Sequence, residues 1–516
     1  MAAPVYATDL SDILADMAST TGWTALGGGA SGLVAPETDF FIQGSNCISK
    51  AGWSSAIKGM IYNFGSGVTV PTTGAVLMWI YYWGHNSLDT LAGFGLRCAI
   101  GSAASAYNEY AVGGSDTLPF GGWVLAAVDP NTASADATVG SPSGTEQYFG
   151  ATADVPGAGP SKGQPLGIDA MRYGRCELRC TDGDAGNGYA TFAGAQAYGD
   201  AVTRRWGLLS FRDGAYFQSG LMSLGLAGTA VDFRDSNKTI FIRDHRKVAA
   251  GFNAFEVNHA SSNVEWTAIS FQALGTVARG NFLAVDNAPV AIVNCTFTDM
   301  GTFGFLSNTD VVDSIMRRCG LITTGGATLT RVLIDSSYAA VALVTASPSL
   351  LDECTFVSDG TGHAIEATTA GDYNSNNTYT GYAATDGSTG NEAFYNNSGG
   401  HINLTVTGGT TPSVRNGSGA TTTVIIPEVT VTIAAQVSLV DAEVRVYDLD
   451  TTPPDFGTEL AGAESNAGAT FAFSTGAANQ VWIQIMKAGF VEYGQSFTVP
   501  AANTTLTVAL KPELNA

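Results

Sequence analysis

The sequence predicts an all-β chain organised around a right-handed parallel β-helix, and three observations predict it. The first is a recurring phrase of alternating apolar and polar residues. It reads Ala268-Ile269-Ser270-Phe271, Asn294-Cys295-Thr296-Phe297, Asp313-Ser314-Ile315-Met316, Arg331-Val332-Leu333-Ile334, Glu353-Cys354-Thr355-Phe356 and Asn377-Thr378-Tyr379. With Phe271, Phe297, Met316, Ile334, Phe356 and Tyr379 as equivalents, the gaps are 26, 19, 18, 22 and 23 residues. A period near twenty, made only of short strands and turns, suits coils that bury their apolar faces by stacking on one another. The second observation is that turn formers such as Gly, Asn, Asp and Ser follow each phrase. The third is composition: 13% of residues are charged, about half the ~25% of soluble domains, while Gly numbers 63.

At 516 residues the chain exceeds one core, and it divides by pattern. Residues 1–34 read as an attachment segment. Leu10, Ile13, Leu14 and Met17 fall at helical spacing behind a Thr8 cap, and the run Gly27-Gly28-Gly29 lies beyond them. Residues 35–165 read as a β-sandwich with strands at Phe40-Phe41-Ile42, Gly59 to Phe64, Val76 to Trp83, Phe94 to Ile100 and Trp123 to Val128. The third of these is apolar or aromatic throughout, as expected of a strand in the middle of a sheet. A stretch rich in Gly, Ala, Ser, Thr and Pro over 130–170 marks a boundary.

The β-helix is expected over 166–410. Its first strands fall at Cys176-Glu177-Leu178, Tyr189-Ala190-Thr191-Phe192, Leu208-Leu209-Ser210-Phe211 and Thr239-Ile240-Phe241-Ile242, and it fades near Asn397-Ser398-Gly399-Gly400. Residues 425–516 return to longer alternating strands, such as Val429 to Ile433 and Ala442 to Tyr447.

Two of these modules resemble known families. The phrase Phe41-Ile42-Gln43-Gly44-Ser45, ahead of the strand series, resembles the first strand of a concanavalin-like jelly roll, which implies sugar binding in many members and assembly in others. The end of the chain resembles the carboxypeptidase regulatory-like module, an immunoglobulin-like β-sandwich. That resemblance rests on Glu443-Val444-Arg445-Val446-Tyr447, Gly457-Thr458-Glu459-Leu460, Gly468-Ala469-Thr470-Phe471-Ala472-Phe473, Val481-Trp482-Ile483-Gln484-Ile485 and Lys487-Ala488-Gly489-Phe490. It implies stiffening or adhesion. The expected order is therefore a jelly-roll-like sandwich, a parallel β-helix and an immunoglobulin-like sandwich.

The net charge is −22 and the first basic residue is Lys50, which argues against nucleic-acid or anionic-membrane binding through a basic patch. A solubilising surface accounts for the same acidity. The longest strongly apolar run, Ala75 to Trp83, is too short to cross a bilayer. Residues 1–30 lack the basic start and apolar core of a signal peptide, so synthesis in a cytoplasm is expected. The seven cysteines (Cys47, Cys98, Cys176, Cys180, Cys295, Cys319, Cys354) contain no Cys-x-x-Cys pair and are expected to be reduced and buried.

For chemistry, β-helix hydrolases and lyases display carboxylates on one face. Asp299 and Asp359 follow equivalent Phe residues but lie three rungs apart, about 14 Å, too far for paired catalysis. Asp310, Asp313 and Asp335 lie on neighbouring coils and are the catalytic candidates, with turn capping as the plainer reading of each. Asp182-x-Asp184-x-x-Asn187-Gly188 lacks its bidentate Glu, since Ala193 stands there. Asp448-x-Asp450 has Glu459 at the right distance but Pro453 in place of Gly, and both read as turns. His85, His245, His259, His363 and His401 show no ligand spacing. No phosphate loop, nucleophile elbow or dinucleotide fingerprint appears, and no metal or cofactor is expected.

Modular order and low charge together resemble the structural proteins of tailed-phage virions: tail fibres, tailspikes and head decorations. The resemblance implies a non-enzymatic virion component that meets host or environmental glycans and joins other virion proteins through its N-terminal region; a homotrimer is expected because a flat face of the β-helix can pack about a three-fold axis and the low charge density leaves neutral surface to bury. Two alternatives stay open: a tailspike-like polysaccharide depolymerase, and a bacterial surface adhesin, which the missing signal peptide disfavours. A monomer is the alternative to the trimer.

Overall fold

The computed structural model describes residues 17–26, 32–38, 42, 46–50, 58–70, 74–82, 95–112, 122–131, 133–144, 146–154, 166–175, 177–181, 190–199, 208–243, 246–247, 253–274, 280–337, 342–387, 389–449, 457–476, 479–500 and 502–513. The chain forms two compact units, Met1–Ala327 and Thr328–Ala516. The expected helix at residues 8–17 and the strand Phe40-Phe41 fall almost wholly outside the described residues.

The first unit opens with a two-sheet sandwich. One sheet orders Trp23–Leu26, Lys58–Val68, Glu146–Asp154, Gly95–Ala103, Ala106–Ala111 and Ala137–Val139, antiparallel throughout. The other orders Arg246–Lys247, Gly122–Val128, Gly74–Tyr82, Leu166–Arg175, Cys47–Lys50 and Leu33–Glu37. Met60, Ile100 and Phe149 from the first meet Val76, Met78, Ile80, Val124 and Ile168 from the second. Gly74–Tyr82, the strand with no polar side, is third of six with a partner on each edge, as its sequence required.

This sandwich is larger than residues 35–165. Trp23–Leu26 pairs with Lys58–Val68. Leu166–Arg175, placed by sequence pattern at the start of the β-helix, lies between Gly74–Tyr82 and Cys47–Lys50. A bulge at Asp169, held where its carboxylate accepts the Ala170 N–H at 2.6 Å, shifts the register so that Ile168 and Met171 both reach the core. Arg246–Lys247, from a loop between β-helix strands, adds to the sheet beside Ala127 and Val128. The two modules therefore share a sheet, which no composition shift can reveal.

The β-helix portion of this unit is three parallel rows. The first is Glu177–Cys180, Leu221–Leu224, Asn253–Val257, Asn281–Ala284, Phe303–Gly304 and Ile322–Thr323. The second is Ala215–Ser219, Thr239–Arg243, Ser270–Leu274, Thr296–Thr298 and Ile315–Cys319. The third is Asp232–Ser236, Asn263–Thr267, Val290–Val293 and Thr309–Val312. Phe271 stands opposite Phe297, and Phe297 opposite Met316, as the recurring phrase predicts.

The first residue of each phrase makes a corner. Asn237, Ala268, Asn294 and Asp313 all adopt left-handed backbone, φ 51–54°. The Asn237 N–H donates to Thr267 O, that of Ala268 to Val293 O and that of Asn294 to Val312 O, each on the next coil. Asn and Asp tolerate that conformation better than most residues. The following residues, Ile269, Cys295 and Ser314, then point inward and are 1% exposed. A second corner at Asp299 and Arg318 sends Met300 and Cys319 inside.

At the expected strand Tyr189-Ala190-Thr191-Phe192, Tyr189 lies outside the described residues and Phe192 begins a helix. Thr191 caps Phe192–Gly199, its Oγ1 accepting the Gly194 N–H at 3.1 Å. The run Ala-Gly-Ala-Gln-Ala behind that cap favours a helix over the four-residue alternation read from sequence. Phe192 is fully buried, and its ring meets Tyr216, Phe233, Phe255, Trp266 and Phe271 with centroids 5.1–6.3 Å away. It plugs the aromatic core where the coils begin.

In the second unit the phrase continues, with Ile334 opposite Phe356 and Phe356 opposite Tyr379. Arg331 and Glu353 make the left-handed corners, and Val332 and Cys354 point inside. Parallel pairing runs on through His401–Gly409, Val414–Asn416 and Thr421–Ile425, past the point near Asn397-Gly400 where the pattern fades. That turn-rich stretch is an internal loop: Asn396 Oδ1 accepts Ser398 N and Oγ, and its Nδ2 donates to Gly400 O and Thr421 O.

The chain ends in a sandwich of three strands (Thr470–Gly476, Glu428–Ala435, Thr504–Val508) and four (Glu459–Ala463, Glu443–Asp448, Gln480–Met486, Tyr493–Thr498). Val431, Ile433, Val444, Val446, Phe473, Val481, Ile483 and Ile485 form its core. Among the described residues no helix is long and apolar enough to cross a membrane.

Candidate functional site

The acidic residues singled out by sequence take three kinds of place. Asp313 is a corner residue with φ 51°. Asp310 projects from Thr309–Val312 and is exposed. Asp335 belongs to the second unit, on the phrase strand Leu333–Ser337, opposite Val357. Asp299 binds Arg318 from the neighbouring coil through two bonds of 2.9 and 2.8 Å. Asp359 accepts the Thr361 N–H and hydroxyl at 3.1 and 2.9 Å. The calcium-like segment at 182–188 lies outside the described residues, as do Asp450 and Pro453, while Glu459 is paired with Arg445 at 2.9 Å.

One row does bring two carboxylates into line. Glu265 stands opposite Ala291, and Ala291 opposite Asp310, two rungs or about 10 Å overall. That exceeds the ~5–5.5 Å of retaining glycosidases and the ~6.5–9.5 Å of inverting ones. A general acid also needs a dry setting that favours its protonated form. Glu265 is 42% exposed and paired with Arg234 at 3.3 Å, so this row lacks that setting.

A connected polar cluster in the second unit is one that sequence reading missed. In the second unit, Thr345, Glu366, Tyr395 and Arg415 stand opposite one another on four successive strands of one parallel row. His363 lies behind them, 2% exposed, its ring stacked on Tyr395 at 4.8 Å. Its Nδ1 donates to Glu392 O at 2.7 Å and its Nε2 accepts from Arg415 Nη1 at 3.3 Å, which fixes a neutral ring. Arg415 also lies over Tyr395, 5.1 Å from the ring centre.

Glu392, fully buried, accepts the Thr389 N–H and hydroxyl and the Gly390 N–H at 2.7, 2.8 and 3.1 Å. Burial alone would raise its carboxyl, but these donors hold it below the usual range. Burial, then the Arg415 charge, holds His363 below the ordinary imidazole range. The sequence signal was faint. Ile365-Glu366-Ala367, Phe394-Tyr395-Asn396 and Val414-Arg415-Asn416 share an apolar–polar–small pattern, but unequal loops separate them.

The titration has a direct consequence. Because folding lowers the His363 pKa, the unfolded chain takes up its proton first, and stability falls as pH drops below about 6.5 towards the folded value. Urea midpoints at pH 7.5, 6.0 and 5.0 are expected to fall less for His363→Gln than for the parent chain. Parallel declines would assign the pH dependence to other groups.

The six described cysteines are buried and none is in a disulfide. Burial pushes up the thiols of Cys47, Cys98, Cys180, Cys295 and Cys354, to about 11 at Cys295 and about 12 at Cys98 and Cys354, the reverse of an activated nucleophile. Cys295 and Cys354 occupy equivalent corners, as their sequence positions indicate. Among the described residues no group of three His, Cys, Asp or Glu stands ready to hold a metal.

No family model matches the chain, and no curated protein matches it. Comparison with solved structures finds a chain described as "Crystal structure of Agl-KA catalytic domain", 11% identical, covering 82% of this chain and 100% of that one at a TM-score of 0.17. A likeness that slight carries no argument.

Proposed function

We propose that the protein is a non-enzymatic structural component of a virion, of the tail-fibre, spike or head-decoration kind, whose surface meets host or environmental glycans. The observation that carries the reading is the construction of the coils. Interiors are closed by stacked aromatic rings, and recurrent corners are set by left-handed residues whose neighbours point inward. This is a scaffold that resists deformation. The carboxylates on it serve corners, caps and exposed ion pairs, as Asp313, Asp359, Asp299 and Glu265 do.

The runner-up, a polysaccharide depolymerase, draws on the Glu265–Ala291–Asp310 row. Purified protein incubated with host capsule or lipopolysaccharide is expected to release no oligosaccharide. Release that disappears in Asp310→Asn or Glu265→Gln would replace the structural reading with the hydrolytic one.

The same reading includes a homotrimer. Only 23 Lys and Arg are spread over 516 residues, which leaves neutral surface to bury about a three-fold axis, and repeated weak glycan contacts gain from multivalency. Light scattering at micromolar concentration is expected to give three times the chain mass of 53.2 kDa. A folded species at 53.2 kDa rules the trimer out.

A further inference from the structure

We infer that Arg415, at the end of the row of coils in the second unit, anchors a binding site for the carboxylate of an acidic saccharide, a uronate or sialate. This rests on the proposed glycan-facing role and gives it a place and a ligand class. Val414 is buried, so alternation along Val414–Asn416 turns Arg415 outward, where it is half-buried.

The guanidinium is held firmly along one side. Its Nη1 donates to Nε2 of neutral His363 at 3.3 Å, and its carbon lies 5.1 Å from the centre of the Tyr395 ring. Neither support is loose. His363 is 2% exposed and tied to Glu392 O at 2.7 Å, and the Tyr395 hydroxyl donates to Asn397 Oδ1 at 3.2 Å. A Cβ built on Gly390 would stand 3.6 Å from Nη1, so the guanidinium also passes close over the turn that the Glu392 carboxylate fixes.

What this cation lacks is an anion. Among the described residues no carboxylate lies within 4.0 Å of it, although acidic residues outnumber basic ones 45 to 23. Elsewhere such partners are taken up: Asp299 pairs with Arg318, and Glu443 and Glu459 with Arg445. At Arg415 the supports are an imidazole and a phenol, both uncharged. One guanidinium N–H goes to His363, while Nε and Nη2, an edge that grips a carboxylate through two parallel bonds, have no acceptor among the described residues. A guanidinium pre-set by neutral supports and unpaired along that edge matches a planar carboxylate.

The neighbouring side chains select what carries the carboxylate. Tyr395 and then Glu366 follow Arg415 along the same outward row, and Asn397 Nδ2 donates to Glu366 at 2.7 Å. Glu366 lies two rungs from Arg415, about 10 Å, and its carboxylate has lone pairs to accept hydroxyl groups. Its charge also repels a second anion at that distance. One carboxylate at one end with hydroxyls beyond it describes an acidic sugar better than a polysulfated chain.

The test uses the full chain on an array carrying polygalacturonate, hyaluronan and sialyl-lactose, beside methyl-esterified polygalacturonate, neutral glycans and sulfated glycans. Binding to a carboxylated glycan is expected, and for polygalacturonate it should vanish on esterification. Arg415→Gln is expected to abolish it, and Arg415→Lys, which keeps the charge but not the fork, to weaken it about tenfold with an unchanged melting curve. Should Arg415→Gln fail to fold, Arg415→Lys decides alone. Carboxylate binding unmoved by the variants that fold would overturn the site and leave the glycan-facing reading intact. Binding confined to neutral glycans, or at least as tight to sulfated ones, would overturn the inference in the same way. An array with no bound glycan would overturn both readings.

Discussion

Phe297→Ala is expected to cost about 3–5 kcal/mol of stability, from lost burial and the cavity left behind. The ring is fully buried, stacked on Phe271 at 5.0 Å with planes 2° apart, and meets Phe303 edge-on at 5.2 Å. A coil cannot collapse into the gap, because its backbone is hydrogen-bonded to the coils above and below. Phe297→Leu, which refills most of the volume, is expected to recover the greater part of the loss. Thermal and urea unfolding measure both, and a melting curve unmoved by the alanine would show that this register is wrong.

Phe192→Ala should be comparably severe, about 3–5 kcal/mol, and its effect should be localised. Phe192 touches five aromatic residues from three coils, so its removal exposes the start of the core to water. Trp266, whose indole N–H has no hydrogen-bond partner, loses part of the apolar wall around it. Amide exchange is expected to quicken in the strands over 215–243 and to stay unchanged in the C-terminal sandwich at 457–513. Uniform acceleration along the chain would contradict the role of a local plug.

By itself the sequence determined the class and the register of the central stack. Phe271, Phe297 and Met316, then Ile334, Phe356 and Tyr379, pair as their spacing indicated, because a side chain directed inward from every coil must be apolar whatever the loops do. It also determined the buried strand Gly74–Tyr82, since a strand with no polar side has nowhere else to lie. The tertiary structure alone decided the rest. Leu166–Arg175 and Arg246–Lys247 joined the first sandwich because open strand edges were available there, a fact of pairing that leaves no local trace. Phe192 became part of a helix because a Thr cap and an Ala-rich run outweighed four alternating residues. His363, Glu366, Tyr395 and Arg415 converged from positions up to 52 residues apart because neighbouring coils fix register regardless of the chain between them. Local patterns specify which face is buried; which residues meet on the other face is set by how the coils stack.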